Sequence, residues 1–230
     1  MTDTTHQKFF SRCKRIAVSF LFVVLLGLCL FLPAGTLDWP MAWLLLAIYV
    51  VVFVTALLLI SDGLCEERSK RHADSKAWDR GLVTLLFLLN FVTFAVAGLD
   101  HGSSWTRQLP LVVEIAALSL VICGNVLVVW AMVTNDFFSA TIRIQTDRGH
   151  AVVSQGPYRF VRHPGYLGII TYVIFQPLML GSVWALVPAA LTVLLTILRT
   201  TLEDRALQEE LPGYREYAGK VRNRLVPGIW

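Results

Sequence analysis

Apolar residues in this chain fall into long unbroken blocks rather than into short alternating strands. A polar stretch, 1–15, closes on Arg12, Lys14 and Arg15 and gives way to an apolar run over 16–33. Further apolar blocks cover 41–60, 82–99 and 109–134. Each reaches or approaches the ~20 residues that a helix needs to cross ~30 Å of hydrocarbon. No small-residue cleavage signal follows the first block and other spans do, so it reads as a retained span, not a signal peptide. The last block, 165–198, is 34 residues long, too long for one crossing. Gln176, Pro177, Gly181 and Ser182 interrupt it near its middle, where proline removes a helix hydrogen bond. This predicts a tight helical hairpin, with one long kinked helix as the alternative. Beyond it, 199–211 continues as a helix emerging from the membrane, stopped by Pro212-Gly213. The expected fold is an all-α integral membrane protein of about six membrane segments, the last two a hairpin, followed by a C-terminal helix and tail. The expected organisation is four transmembrane helices in 1–134 and a catalytic region in 135–230.

Composition agrees. The chain is 56% hydrophobic and 16% charged, where a soluble domain carries roughly 25% charge. The net charge of +4 is modest, and its distribution follows membrane side rather than forming a nucleic-acid patch. With the N-terminus cytoplasmic, nineteen of the 20 Lys and Arg residues fall on the inner side and only Arg107 outside, a positive-inside pattern. The inner set includes Lys8, Arg12, Lys14, Arg68, Lys70 and Arg71. Trp39, Trp43, Trp105 and Trp184 fall at the expected outer ends, as an aromatic belt. The chain is therefore expected to be multi-pass with both termini cytoplasmic, in a bacterial inner membrane or an equivalent endomembrane. Cys13, Cys29, Cys65 and Cys123 are scattered without CxxC or paired His spacing, which speaks against a zinc site or a disulfide framework. Asn90 and Asn125, in mid-span, are expected to bond between helices, and Glu114 to be structural.

Between two apolar blocks lies QTDRGHAVVSQGPYRFVRHPGY, residues 145–166. Gly156-Pro157 sets one turn in it and His163-Pro164-Gly165 another. The stretch holds Arg148, His150, Tyr158, Arg159, Arg162, His163 and Tyr166, a density of ring nitrogens, guanidiniums and phenols that reads as a ligand cradle. The residue before Pro164 is biased to extended backbone, which displays the His163 ring. A lone histidine is more often a satisfied core residue, but the company of His150, Tyr158 and Tyr166 favours a site. Arg159 and Arg162 have a simpler reading as headgroup contacts. Arg199 and Glu203, four apart, share one helix face. They are either a surface ion pair or, at the membrane edge beside the cradle, a fork for a substrate anion and a carboxylate for a cationic group. Dinucleotide, Walker, nucleophile-elbow and HExxH motifs are all missing from the chain.

GPYRFVRHPGYLG, followed by RTTLEDRALQEELPGYREYAGKVRNRLVPGIW, resembles the isoprenylcysteine carboxyl methyltransferase family, within a wider group that includes phospholipid N-methyltransferases. The resemblance covers about residues 135–230. It implies a membrane enzyme that uses S-adenosylmethionine, with a cytoplasmic cofactor pocket closed by the C-terminal segment. The acceptor, lipidic or prenylated, would reach the pocket sideways from the bilayer, and neither metal nor nucleic acid is called for. The resemblance assigns His150, Ala151, Val152 and Val153 to the adenosine, largely through backbone groups. It assigns Tyr158, His163, Pro164, Gly165 and Tyr166 to the cofactor, and Glu203 to its methionyl ammonium. Arg199 would hold the acceptor carboxylate, making Arg199 and Glu203 the catalytic pair. Gln145 is a weaker match. Alternatives are a phospholipid amine or small-thiol acceptor, a sterol-type reductase using NADPH, and a protein that keeps the fold without catalysis. The Gly-Pro-Tyr upstream of Arg162 and the Arg199/Glu203 spacing favour the methyltransferase.

Overall fold

The computed structural model of the chain describes residues 2–69 and 75–230, with side chains from Arg15 to Arg68 and from Ser75 onward. Lys8, Arg12, Cys13, Lys14, Lys70 and Arg71 lie outside the described side chains. Among the described residues the chain is helical and has no strand. The order is α1 (Thr2–Ala34), α2 (Pro40–Leu59), α3 (Asp62–Ser69), α4 (Ala77–Ser103), α5 (Leu111–Thr134), α6 (Pro164–Met179), α7 (Leu186–Glu210) and α8 (Tyr214–Lys220). Arg15–Ala34, α2, α4, α5 and α7 are each long and apolar enough to cross a membrane, and α6, at 16 residues, is shorter. The outward faces settle the solvent. Leu32, Leu58 and Val112 are each more than 70% exposed, among dozens of large exposed apolar side chains. Water would not tolerate so continuous an apolar surface, and lipid does. The protein is an integral membrane protein.

Local sequence explains where the helices break. Pro40 opens α2 at a position where the missing N–H is no loss. Between α6 and α7 the chain turns back through Gly181, whose φ of +73° suits glycine, and the Ser182 N–H bonds the Pro177 carbonyl at 2.8 Å. The predicted hairpin is thus present, and the single kinked helix is not. The third predicted span is longer at both ends, as α4. The sequence reading passed over α3 and α8 because neither carries an apolar run.

Small residues set the helix contacts. Gly98 and Gly102 lie one turn apart on α4, and a Cβ at Gly102 would come 2.7 Å from the Ala34 carbonyl oxygen on α1. On α5 and α6, Gly124 and Gly168 face each other: a Cβ on either would stand 2.7 or 2.6 Å from the other's carbonyl oxygen. Such close backbone approach is the usual route to helix association in lipid. The apolar core above them joins Leu26, Leu30, Leu45, Phe94 and Met179. Asn125, expected to bridge helices, instead bonds Val121 of its own helix at 2.9 Å. Asn90 makes no side-chain hydrogen bond among the described residues.

Polar contacts collect at the two ends of the bundle. At one end, Asp100 accepts from the Thr106 N–H and hydroxyl, both at 2.6 Å, and from the Ser182 hydroxyl at 2.5 Å. Trp43, Trp105 and Trp184 are exposed at this end, as predicted, but Trp39 is buried and stacks on His101 at 4.1 Å. At the other end, Ser61 bonds Asp136 at 2.6 Å, Arg143 pairs with Glu67 at 2.7 Å, and Lys76 with Glu210 at 2.6 Å. The candidate site is at this second end.

Candidate functional site

The segment from Asn135 to His163 has almost no regular structure, and its polar side chains hold it in place. Gln145, fully buried, donates to the Phe137 carbonyl at 2.8 Å and accepts from Arg148 at 2.5 Å. Gly149 and Gly156 turn the chain at φ of +67° and +53°. The His-Pro turn is then clamped by the C-terminal tail. The Arg162 and His163 N–H groups donate to the carbonyls of Asn223 and Arg224, each at 3.0 Å.

Asp204 anchors that clamp. It is fully buried on α7, and Arg162 grips it through two bonds of 2.7 and 3.0 Å. Gln208 at 2.8 Å, Arg224 at 2.9 Å, Tyr214 at 3.1 Å and His163 at 3.2 Å complete its shell. A bidentate guanidinium with added donors is what makes a buried carboxylate tolerable. Arg162 is therefore not the headgroup contact of the simpler reading, whereas Arg159 stays exposed. Nothing but the neighbouring Glu203 marked Asp204 in the sequence, since one acidic residue on an emerging helix looks like solvated surface.

Inside the clamp lies a cavity of about 270 Å³. His150, Ala151, Val152, Val153, Tyr158, His163, Gly165, Tyr166, Arg199 and Glu203 line it. Pro164 is buried as the first residue of α6, behind the wall. The sequence reading missed Arg68, Asn135, Arg143, Tyr214 and Tyr217, which also line the cavity. Tyr217 donates to the Tyr158 carbonyl at 2.6 Å, and Asn135 to the Tyr158 hydroxyl at 3.2 Å. Burial pushes the Tyr158, Tyr214 and Tyr217 phenols up, so all three stay protonated donors.

Along one wall, no hydrogen bond among the described residues engages the backbone of Ala151, Val152 or Val153. Their N–H and C=O groups form an open edge. His150 begins that wall and stacks on Phe137 at 4.6 Å. Burial first, then the charges of Arg143 and Arg148, lower its pKa to about 4. The ring is neutral at pH 7, and the Gln145 N–H donates to Nδ1 at 3.3 Å, which leaves the proton on Nε2.

Arg199 and Glu203 do not pair with each other. Arg199 donates through Nε and Nη2 to Asp79 at 2.6 and 3.1 Å, and through Nη2 to the Ala140 carbonyl at 2.9 Å. Its guanidinium lies 5.4 Å over the Tyr166 ring. Among the described residues nothing accepts from Nη1. Glu203 instead receives the Tyr166 hydroxyl. The ion-pair reading of the four-residue spacing is thus replaced by two separate partnerships, with Asp79 and with Tyr166. Asp79, fully buried on α4, also accepts the Ile142 N–H at 2.7 Å, and so ties the cavity wall to α7.

Known proteins share both the sequence region and the fold. The isoprenylcysteine carboxyl methyltransferase family matches residues 117–209, which include every one of the predicted site residues. Two relatives from Oryza sativa, subspecies indica and japonica, each named a probable protein-S-isoprenylcysteine O-methyltransferase, are 31% identical over 121 residues. The match covers 49% of this chain and 61% of each relative, so this chain spans less than two thirds of their length. Among solved structures, the eukaryotic intramembrane Ras methyltransferase (isoprenylcysteine carboxyl methyltransferase) superposes with a TM-score of 0.56 at 17% identity. That superposition covers 98% of this chain and 82% of the other. It extends the shared fold to the N-terminal helices, which the motifs did not reach. The family match thus contains the first of the two motifs and the start of the second, and what this chain is similar to over residues 117–209 is the isoprenylcysteine carboxyl methyltransferase family.

Proposed function

We propose that the chain is a membrane methyltransferase that transfers the methyl group of S-adenosylmethionine to the carboxylate of a lipid-linked, prenylcysteine-like acceptor. One observation carries the reading: ten residues drawn from a loop and two helices, assigned from the motifs to one cofactor and one acceptor, line a single cavity. The wall fits the cofactor by its donor set. The open backbone edge of Ala151–Val153 would hold an adenine, the apolar Val152, Leu207 and Leu211 would pack its face, and the Glu203 carboxylate would receive an ammonium. S-adenosylmethionine supplies, when bound, a methyl group on a sulfonium that a nucleophile displaces in line.

The rest of the task belongs to the chain. A carboxylate is already a nucleophile, so no side chain is required to take a proton from it. What is required is alignment at ~3–3.5 Å and exclusion of water. Arg199 is suited to alignment because Asp79 fixes one edge of its guanidinium and leaves Nη1 uncommitted. Tyr166 fixes Glu203, and Tyr158, Tyr214 and Tyr217 close the cavity with phenols that cannot ionise near neutral pH. The nineteen-to-one charge split supports a cytoplasmic position for this end of the bundle and for both termini.

The test is the fate of labelled methyl. Purified protein in bilayers, given methyl-labelled S-adenosylmethionine and an S-prenylated N-acetylcysteine, should yield label that mild alkali releases as methanol, the mark of an ester. Alkali-stable label on a phospholipid amine or a thioether would move the acceptor class. Absence of S-adenosylhomocysteine binding, with tight binding of NADPH, would overturn the reading.

A further inference from the structure

The cavity holds a second guanidinium that this chemistry does not use. Arg68, in the last turn of α3, lines the same cavity as Arg199. Its Nη1 donates to the Phe138 carbonyl at 3.0 Å, and its guanidinium lies 5.5 Å over the Phe138 ring. Phe138 packs so tightly against Gly165 that an added methyl group there would collide with its ring. The next residue, Tyr166, carries the Arg199 guanidinium over its own ring. The two cations therefore flank the first turn of α6.

They differ in how they are neutralised. Arg199 has Asp79. Arg68 has no carboxylate partner among the described residues, and its Nε and Nη2 have no acceptor. Arg68 is exposed, so its free edge is open to an incoming anion, and the neighbouring Arg199 charge adds to the attraction. The Nε–Nη2 edge is the one whose two parallel N–H groups match a carboxylate.

We propose that Arg68 is a second binding residue for the anionic group of the acceptor, which its free edge and Nη1 of Arg199 receive together. The inference rests on the methyltransferase reading and specifies which residue supplies the fork. A lipid headgroup phosphate offers the same anionic oxygens, so the experiment separates the two sources.

The full chain is placed in phosphatidylcholine bilayers, with and without phosphatidylglycerol. Binding of an S-prenylated N-acetylcysteine and of its neutral methyl ester is measured beside turnover. Arg68→Ala should raise the acceptor KM at least tenfold with kcat and S-adenosylhomocysteine affinity within a few-fold of wild type. The preference for carboxylate over ester should fall by a similar factor, and Arg68→Lys should recover only part of it. Unchanged acceptor KM and unchanged carboxylate preference, with S-adenosylhomocysteine still bound, overturn the proposal. So does a variant whose only loss is its response to phosphatidylglycerol, which assigns the anion to the headgroup. If Arg68→Ala fails to bind S-adenosylhomocysteine through misfolding, the same criteria apply to Arg68→Gln. A wild-type protein that binds the carboxylate through Arg68 but transfers no methyl would sink the methyltransferase reading and leave the anion site standing.

Discussion

A buried arginine in an apolar bundle needs a counter-charge, and Asp79 supplies it to Arg199 across 120 residues of sequence. The pairing makes the simplest test of Arg199 ambiguous. Arg199→Ala removes a guanidinium from the cavity and also strands a fully buried carboxylate, which costs about 3–5 kcal/mol. Lost activity could follow from either. The double variant Arg199→Ala/Asp79→Asn resolves this, because asparagine removes the charge and can still accept the Ile142 N–H. It should recover much of the thermal stability lost in Arg199→Ala and none of the turnover. Recovery of both would reduce Arg199 to a structural brace. Glu203→Ala should separate from these, weakening S-adenosylhomocysteine binding at least tenfold, about 1.4 kcal/mol. Arg199→Ala/Asp79→Asn should leave that affinity within a few-fold of wild type. Calorimetric titration of both variants checks the division.

At the scale of helices, the contact between α5 and α6 matters most for the site, because Tyr166 stands two residues before Gly168 on α6. With Gly124 and Gly168 carbonyls already in contact range of any added Cβ, Gly168→Ala should push α6 away and cost about 1–3 kcal/mol. It should raise the Kd for S-adenosylhomocysteine as well. Gly81→Ala provides the contrast, since nothing lies within 4 Å of a Cβ there. That exchange in α4 should stabilise by up to about 1 kcal/mol, with cofactor affinity unmoved. Equal melting shifts of the same sign would contradict the packing argument. The sequence showed the spans and the hairpin because lipid demands long apolar blocks, and that demand is local. It also showed the cradle, whose polar residues are contiguous. It did not show the partners. Asp79, Asp204 and Arg68 each acquire their meaning from a residue dozens of positions away, and a single charged residue at the edge of an apolar block is indistinguishable from ordinary helix-end surface. The four-residue spacing of Arg199 and Glu203 left a local ion pair open for the same reason, because a local pairing rule competes with tertiary partners that one sequence does not display.

The whole molecule has two unlike ends, and their polarity predicts an orientation. The end that holds the cavity also holds Arg143, Arg148, Arg159, Arg162, the end of α7 and the tail, while the Asp100–Ser182 end carries Arg107 alone among the described lysines and arginines. Cytoplasmic leaflets attract such charge at ~1 kcal/mol per residue, and insertion follows the bias. Single cysteines in a background with Cys13, Cys29, Cys65 and Cys123 replaced can read this out. Asp38 and Gln108 are exposed at the Asp100 end, and Gln155 is exposed beside the cavity. None of the three is a glycine in a close helix contact, so the substitution is mild. In intact cells, an impermeant maleimide should label Asp38→Cys and Gln108→Cys without treatment. Gln155→Cys should react only after permeabilisation. External labelling of Gln155→Cys would invert the protein in the membrane. The cavity would then open away from the cytoplasm, where no S-adenosylmethionine is made, and the proposed cofactor would have to be given up along with the orientation.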